Sequence, residues 1–235
     1  IAGRIVNDLY LRDATDANRR LLDAIRRPLG QQRVLDALDG VLTLLDRPER
    51  ARPMLERAAA QSRAVGDEGL EILCVLRLAD DAYCAADHEA LDRHIARLRE
   101  LADTGSTAAR RLVFVAEVWR LSLAGRHGDV VELADPVLAD GMDGAQAVDS
   151  QVRDFARFSW VIHRAYSGHI IEALDAVDAV RQLPDGLYAN RVAGFELVQR
   201  WQLGLLTAEE RADAVLLVDR IEVMGQAALF VEGAA

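Results

Sequence analysis

The chain has 235 residues, 51% of them hydrophobic and 28% charged, with a formal net charge of −10. That length suits one large domain or two small ones with a substantial core, and 16 Gly with 5 Pro exclude collagen-like and low-complexity chains. All 28 basic residues are Arg, which excludes amine chemistry: no phosphate-loop lysine, no Schiff base, no pyridoxal anchor. The acidic balance also argues against a nucleic-acid-binding face.

The chain begins at Ile1, without an initiator Met, and the expectation is a piece of a longer protein. Arg4, Asn7, Asp8 and Arg12 interrupt any apolar run at the start, so no signal peptide is read there. Residues 3–12 and 15–27 read as an incomplete helical repeat closed by Pro28-Leu29-Gly30. Residues 31–235 then read as one helical-repeat domain. Apolar residues recur at spacings of three and four: Leu91, Ile95, Leu98 and Leu101; Leu112, Val115, Trp119 and Leu123; Leu174, Val177 and Val180; Leu216, Ile221 and Met224.

Punctuation sorts these helices into pairs. First helices are predicted at about 31–45, 69–86, 107–124, 149–167 and 188–205, second helices at about 48–65, 88–102, 129–139, 169–182 and 207–230. Asp46-Arg47-Pro48-Glu49 reads as an N-cap with an early Pro, and Thr207 to Glu210 as a capping box. Gly66-Asp67, Gly105-Ser106, Gly141 and Pro184-Asp185-Gly186 close the pairs. Pro53 and Pro136 fall inside second helices, which should therefore start later or kink. Asp213, Asp219, Arg220 and Glu222 make the apolar stretch 212–231 a buried or amphipathic helix, not a membrane span. First helices begin roughly every 38–42 residues.

The three tryptophans, Trp119, Trp160 and Trp201, lie 41 residues apart each time, one in each of three first helices. Equal spacing of a rare residue is what stacked repeats produce, so these rings are expected in the core between repeats. The fold expected is all-α, an α-solenoid of about five stacked helical hairpins. Cys74 and Cys84 share one predicted helix, where ten residues span ~15 Å against the ~7 Å limit for a disulfide. Reduced thiols fit a cytoplasmic location.

Ala51-Arg52-Pro53-Met54-Leu55-Glu56-Arg57-Ala58, Ala64-Val65-Gly66-Asp67 and Ala85-Ala86-Asp87-His88-Glu89-Ala90-Leu91 resemble tetratricopeptide-type repeats. In its beat and its Lys-free, Arg/Ala-rich style the chain most resembles the helical-repeat region of large ATP-binding transcriptional regulators of the LuxR type. That group is related to the bacterial maltose regulator and abundant in actinobacteria. There, a nucleotide-binding module precedes the repeats, a helix-turn-helix domain follows them, and the repeats receive an inducer or partner protein. The resemblance implies that this chain is only the sensor or interaction segment, so no catalytic or DNA-contacting residue carries over.

Residue chemistry supports no enzyme. Asp80, Cys84 and His88, spaced at i, i+4 and i+8, are the nearest approach to a metal set, without a fourth ligand. Asp80 and Asp81 point about 100° apart on a helix and do not converge. His88, His127 and His169 fall in inter-helix turns, where capping accounts for them. No metal site, cofactor or catalytic residue is expected. The stronger candidate is a surface. Arg120, Arg157, Trp160, His163, Arg164 and Arg200 lie on first helices and are expected to border a groove that takes a protein partner or a small effector. A second copy of the chain is a further candidate partner; direct nucleic-acid contact and membrane association are not expected. The alternative for the same residues is a core of aromatics with arginines paired to acids.

Overall fold

A computed structural model describes residues 32–44, 47–139, 150–183 and 186–209. Among them the chain forms α-helices and no strand: α1 (Gln32–Leu44), α2 (Pro48–Ala64), α3 (Glu68–Cys84), α4 (His88–Asp103), α5 (Thr107–Leu123), α6 (His127–Ala139), α7 (Ser150–Tyr166), α8 (Ile170–Arg181) and α9 (Gly186–Gln202). The segments read from punctuation as far as residue 205 are therefore helical to within three residues at each end, whereas the second helix read at about 207–230 and the apolar stretch 212–231 lie outside the described residues beyond 209. Residues 1–31, with the incomplete repeat read there, lie outside the described residues, as do Gly141 and the stripe at Leu216, Ile221 and Met224. Thr207 precedes a helical turn at 208–209, and Glu210 lies outside as well.

One kind of junction recurs where helices meet. After α2 the chain takes a left-handed step at Gly66 (φ 72°); the Asp67 N–H then donates to the Ser62 carbonyl (2.9 Å), closing α2. The same Asp67 opens α3, its Oδ1 accepting the Leu70 N–H at 3.3 Å. Asp87 repeats this, donating to Ala82 O (2.8 Å) and accepting from Ala90 N at 2.9 Å. Ser106 does so again, donating to Leu101 O (3.3 Å) while its Oγ accepts from Ala109 N at 3.2 Å. The left-handed residues at 66, 86, 105 and 125 recur every 19 or 20 residues. At 86 the residue is Ala, not Gly, at φ 52°.

Two expectations about helix ends change. The residue that caps α2 is Arg47, without a side-chain cap bond, and Pro48 follows it in the first turn. Neither proline delays its helix: α2 starts at Pro48 and runs through Pro53, and α6 runs through Pro136. Both prolines are exposed, so water can serve the carbonyls that lose an N–H partner.

The helices fall into two compact units, Ile1–Gly125 and Arg126–Ala235. In the first, α1 to α5 pack each on the next in sequence, and α3 also packs on α1 and on α5. Leu91, Ile95, Leu98 and Leu101, the stripe read on α4, are all buried there with Leu55, Ile72 and Leu78. Gly40 lets α1 approach α2 closely, since a Cβ on it would stand 2.9 Å from Leu55 Cγ. In the second unit α6 packs on α7, α7 on α8, α8 on α9, and α7 also on α9. Val161, Ala173, Val177, Val180 and Phe195 form its core.

The tryptophan beat does not mark one packing position. Trp119 is the thirteenth residue of α5, Trp160 the eleventh of α7 and Trp201 the sixteenth of α9. Trp119 stacks on Tyr83 with centroids 6.0 Å apart, and Trp160 packs against the second core. Trp201 is 61% exposed and belongs to neither core cluster among the described residues. The buried stripe of α9 is Val192, Phe195 and Gln199; two residues beyond Gln199, a helix has turned by about 200°.

The junction yields a stability test. Ala86→Gly is expected to stabilise the chain by about 1 kcal/mol, because a left-handed Ala is strained by roughly that amount. Asp87→Ala, one residue on, is expected to destabilise it by about 1 kcal/mol through the lost cap. Urea unfolding midpoints of the two variants check both signs.

Candidate functional site

The arginines and acids of this chain are used largely to tie one helix to the next. Arg52 on α2 pairs with Asp81 on α3, Arg99 on α4 with Glu117 on α5, and Arg181 on α8 with Glu196 on α9. Among the described residues the most enclosed acid is Glu71 on α3, whose side chain is 3% exposed. One carboxylate oxygen accepts from Arg63 Nε on α2 and from Arg97 Nε on α4, both at 2.8 Å. Burial pulls its pKa upward, but the two guanidinium bonds outweigh that and hold it below the ordinary 4.5.

The proposed groove residues divide between the units. In the first unit, Arg120 donates from Nε to Glu117 at 2.8 Å. In the second, α7 carries Arg157, Trp160 and Arg164 at spacings of three and four, hence on one helical face. Arg157 is exposed, with no hydrogen bond or ion pair among the described residues. Trp160 is half-buried and its Nε1–H donates to Asp135 on α6 at 2.9 Å. The Arg164 guanidinium lies 5.8 Å from the Trp160 ring centroid and donates twice to Glu172 Oε2 on α8, at 2.8 and 2.6 Å. Arg200 stands 3.8 Å from Glu196. Of the four arginines, Arg120, Arg164 and Arg200 are thus engaged with acids of their own chain.

No family model, curated protein or solved structure matches this chain.

His163 does not share the open face. It is buried, 8% exposed, and its Nδ1 lies 2.9 Å from Nδ1 of His127, the first residue of α6. The rings stack with centroids 5.1 Å apart, and Tyr166 stands 5.1 Å from His127. Burial, and then the neighbouring His127, push the His163 pKa down to about 4. The capping account of His127 missed this partner, because two residues 36 apart in sequence meet only once α6 folds back on α7. His169 precedes α8 without capping it; its Nδ1 lies 3.2 Å from Glu172 Oε1.

Asp80 and Cys84 lie on α3 and His88 opens α4; among the described residues no three of His, Cys, Asp and Glu converge into a metal-binding group. Neither cysteine is in a disulfide. Burial, then the charges of Asp67 and Glu71, push the Cys74 thiol up to about 12, so it stays protonated and unreactive.

Glu71 supplies a pH test with a defined sign. A carboxyl held below its unfolded pKa stabilises the fold fully above that value, and the contribution is lost as pH falls through the lower folded value. Glu71→Gln is therefore expected to destabilise the chain by about 2 kcal/mol at neutral pH. The gap to wild type should close as pH drops below the ordinary 4.5. Denaturant midpoints of both proteins across that range check it; a gap that does not change with pH would overturn it.

Proposed function

We propose that this chain is a non-catalytic, tetratricopeptide-like stack of helical hairpins that binds a protein partner or a small effector. The reading that goes with its residue pattern is the sensor or interaction segment of a cytoplasmic regulator resembling the LuxR-type family. The observation that carries the recognition role is the junction repeated in the first unit: left-handed residues at 66, 86 and 105, 19 or 20 positions apart, each followed, at 67, 87 and 106, by a residue that ends one helix and begins another. Short, uniform connections of this kind lay helices side by side and leave long faces open, the usual platform for recognition in repeat proteins. Packing of α3 on both α1 and α5, and of α7 on α9, supports the same arrangement within each unit.

The recognition residues proposed are Arg157 and Trp160. An exposed guanidinium one turn from a half-buried indole combines two of the side chains that dominate interface energetics. Arg164 is a weaker candidate contact, since Glu172 and the Trp160 ring already engage it. His163, buried against a second imidazole, is assigned to the interior of the fold rather than to substrate chemistry.

Sequencing the native gene outward from both ends tests the regulator reading. An upstream Gly-rich loop with Lys-Ser/Thr and a downstream helix-turn-helix support it; their absence leaves a free-standing adaptor. The face itself is tested with the partner recovered by photo-crosslinking from position 157. Arg157→Ala is expected to weaken its binding roughly tenfold, with an unfolding midpoint close to wild type. Unchanged affinity in the double variant Arg157→Ala, Arg164→Ala removes the α7 face from the proposal.

A further inference from the structure

Two Nδ1 atoms 2.9 Å apart share one hydrogen. One ring must be the Nδ1–H tautomer and donate; the other keeps its Nδ1 lone pair and accepts. His163 is buried on α7, whereas His127 is half-buried at the first residue of α6. Tyr166 lies 5.1 Å from His127 and 6.3 Å from His163, and Phe195 on α9 meets Tyr166 edge-on at 6.2 Å. Several charged or titratable groups on the surrounding elements are joined to one another. Arg126 pairs with Asp129 at the start of α6, and Arg164, Glu172 and His169 link α7 with α8. Glu196 on α9 takes Arg181 and faces Arg200.

We propose that His127 and His163 form an acid-operated latch on the hairpin of α6 and α7, closed with one added proton and open with two. The first proton enters at Nε2 of the donating ring. The resulting imidazolium donates to a neutral imidazole, a charge-assisted bond that keeps the rings together. The second proton has one place to go, the accepting Nδ1. Two N–H groups then face each other, and two cations share a site that is buried at His163 and half-buried at His127.

The protons come on in two steps that belong to the pair. Burial lowers both pKa values, and the charge of His127 adds to the depression at His163, which reaches about 4. The open state therefore binds protons more readily than the closed one. The closed state's advantage is complete above the ordinary 6.5 and is lost as pH falls toward about 4, most steeply at the second step. His163 is held in the packed interior, so the part that yields is the first turn of α6. Its unpaired N–H groups further disfavour a cation at His127.

The test follows both imidazoles by nitrogen NMR in the intact chain, from neutral pH down to about 4, together with amide exchange at Val130 and Val131. The second protonation is expected to lower protection at these amides at least roughly tenfold relative to Val177 and Val180 of α8. His127→Gln, whose amide keeps a partner for His163 but does not titrate, is expected to remove that step. Independent single-step titration of the two rings with unchanged protection at Val130 overturns the latch. So does an equal acid-induced loss in His127→Gln. The wild-type titration decides the matter alone if that variant does not fold.

Discussion

The structure depends on a residue with two obligations. Asp67, Asp87 and Ser106 each give their N–H to the last carbonyls of one helix and their side-chain oxygen to the first amides of the next. A helix leaves unpaired N–H groups at its start and unpaired carbonyls at its end. Here a single residue meets part of both demands, after one left-handed step. The connection is short enough to turn the chain back on itself, and the apolar stripes then face one another. Core burial provides most of the stabilisation, but the junctions determine which stripes meet.

With arginine as the sole long cation, the polar surface follows the same logic. Guanidinium groups reach across from one helix to its neighbour: Arg52 to Asp81, Arg63 and Arg97 to Glu71, Arg164 to Glu172, Arg181 to Glu196. The planar fork suits such bridging better than an ammonium does. This use of arginine also narrows the recognition surface. Of the arginines first read as a groove, Arg157 stays exposed and without an ion pair among the described residues, while Arg120, Arg164 and Arg200 serve the fold.

Helix positions were largely legible in the sequence because the signals are local. Gly66-Asp67 and Gly105-Ser106 announce their junctions, and the α4 stripe at Leu91, Ile95, Leu98 and Leu101 is buried as its spacing requires. Ala86 is harder to read, since nothing in an alanine advertises a left-handed backbone. The tryptophans show where periodicity misleads. Identical spacing along the chain fell on the thirteenth, eleventh and sixteenth helical positions, and each such slip rotates the side chain to another face. The meeting of His127 with His163 was not legible at all, because it depends on how two helices are rotated against each other, not on either sequence alone.

The shared junctions carry an evolutionary consequence. A residue that finishes one helix and starts the next leaves no slack between them. Deleting or inserting one position in a turn such as 85–87 would part the cap from its amide and rotate the whole following helix by about 100°. Insertions and deletions in a lineage of this chain should therefore avoid these turns and collect in segments that do not double as caps. Point substitutions, by contrast, can accumulate freely along exposed faces. Such a chain would drift far in residue identity while holding its helix lengths nearly fixed, so an ancestry too faint for residue matching would still be written in the distances between its turns.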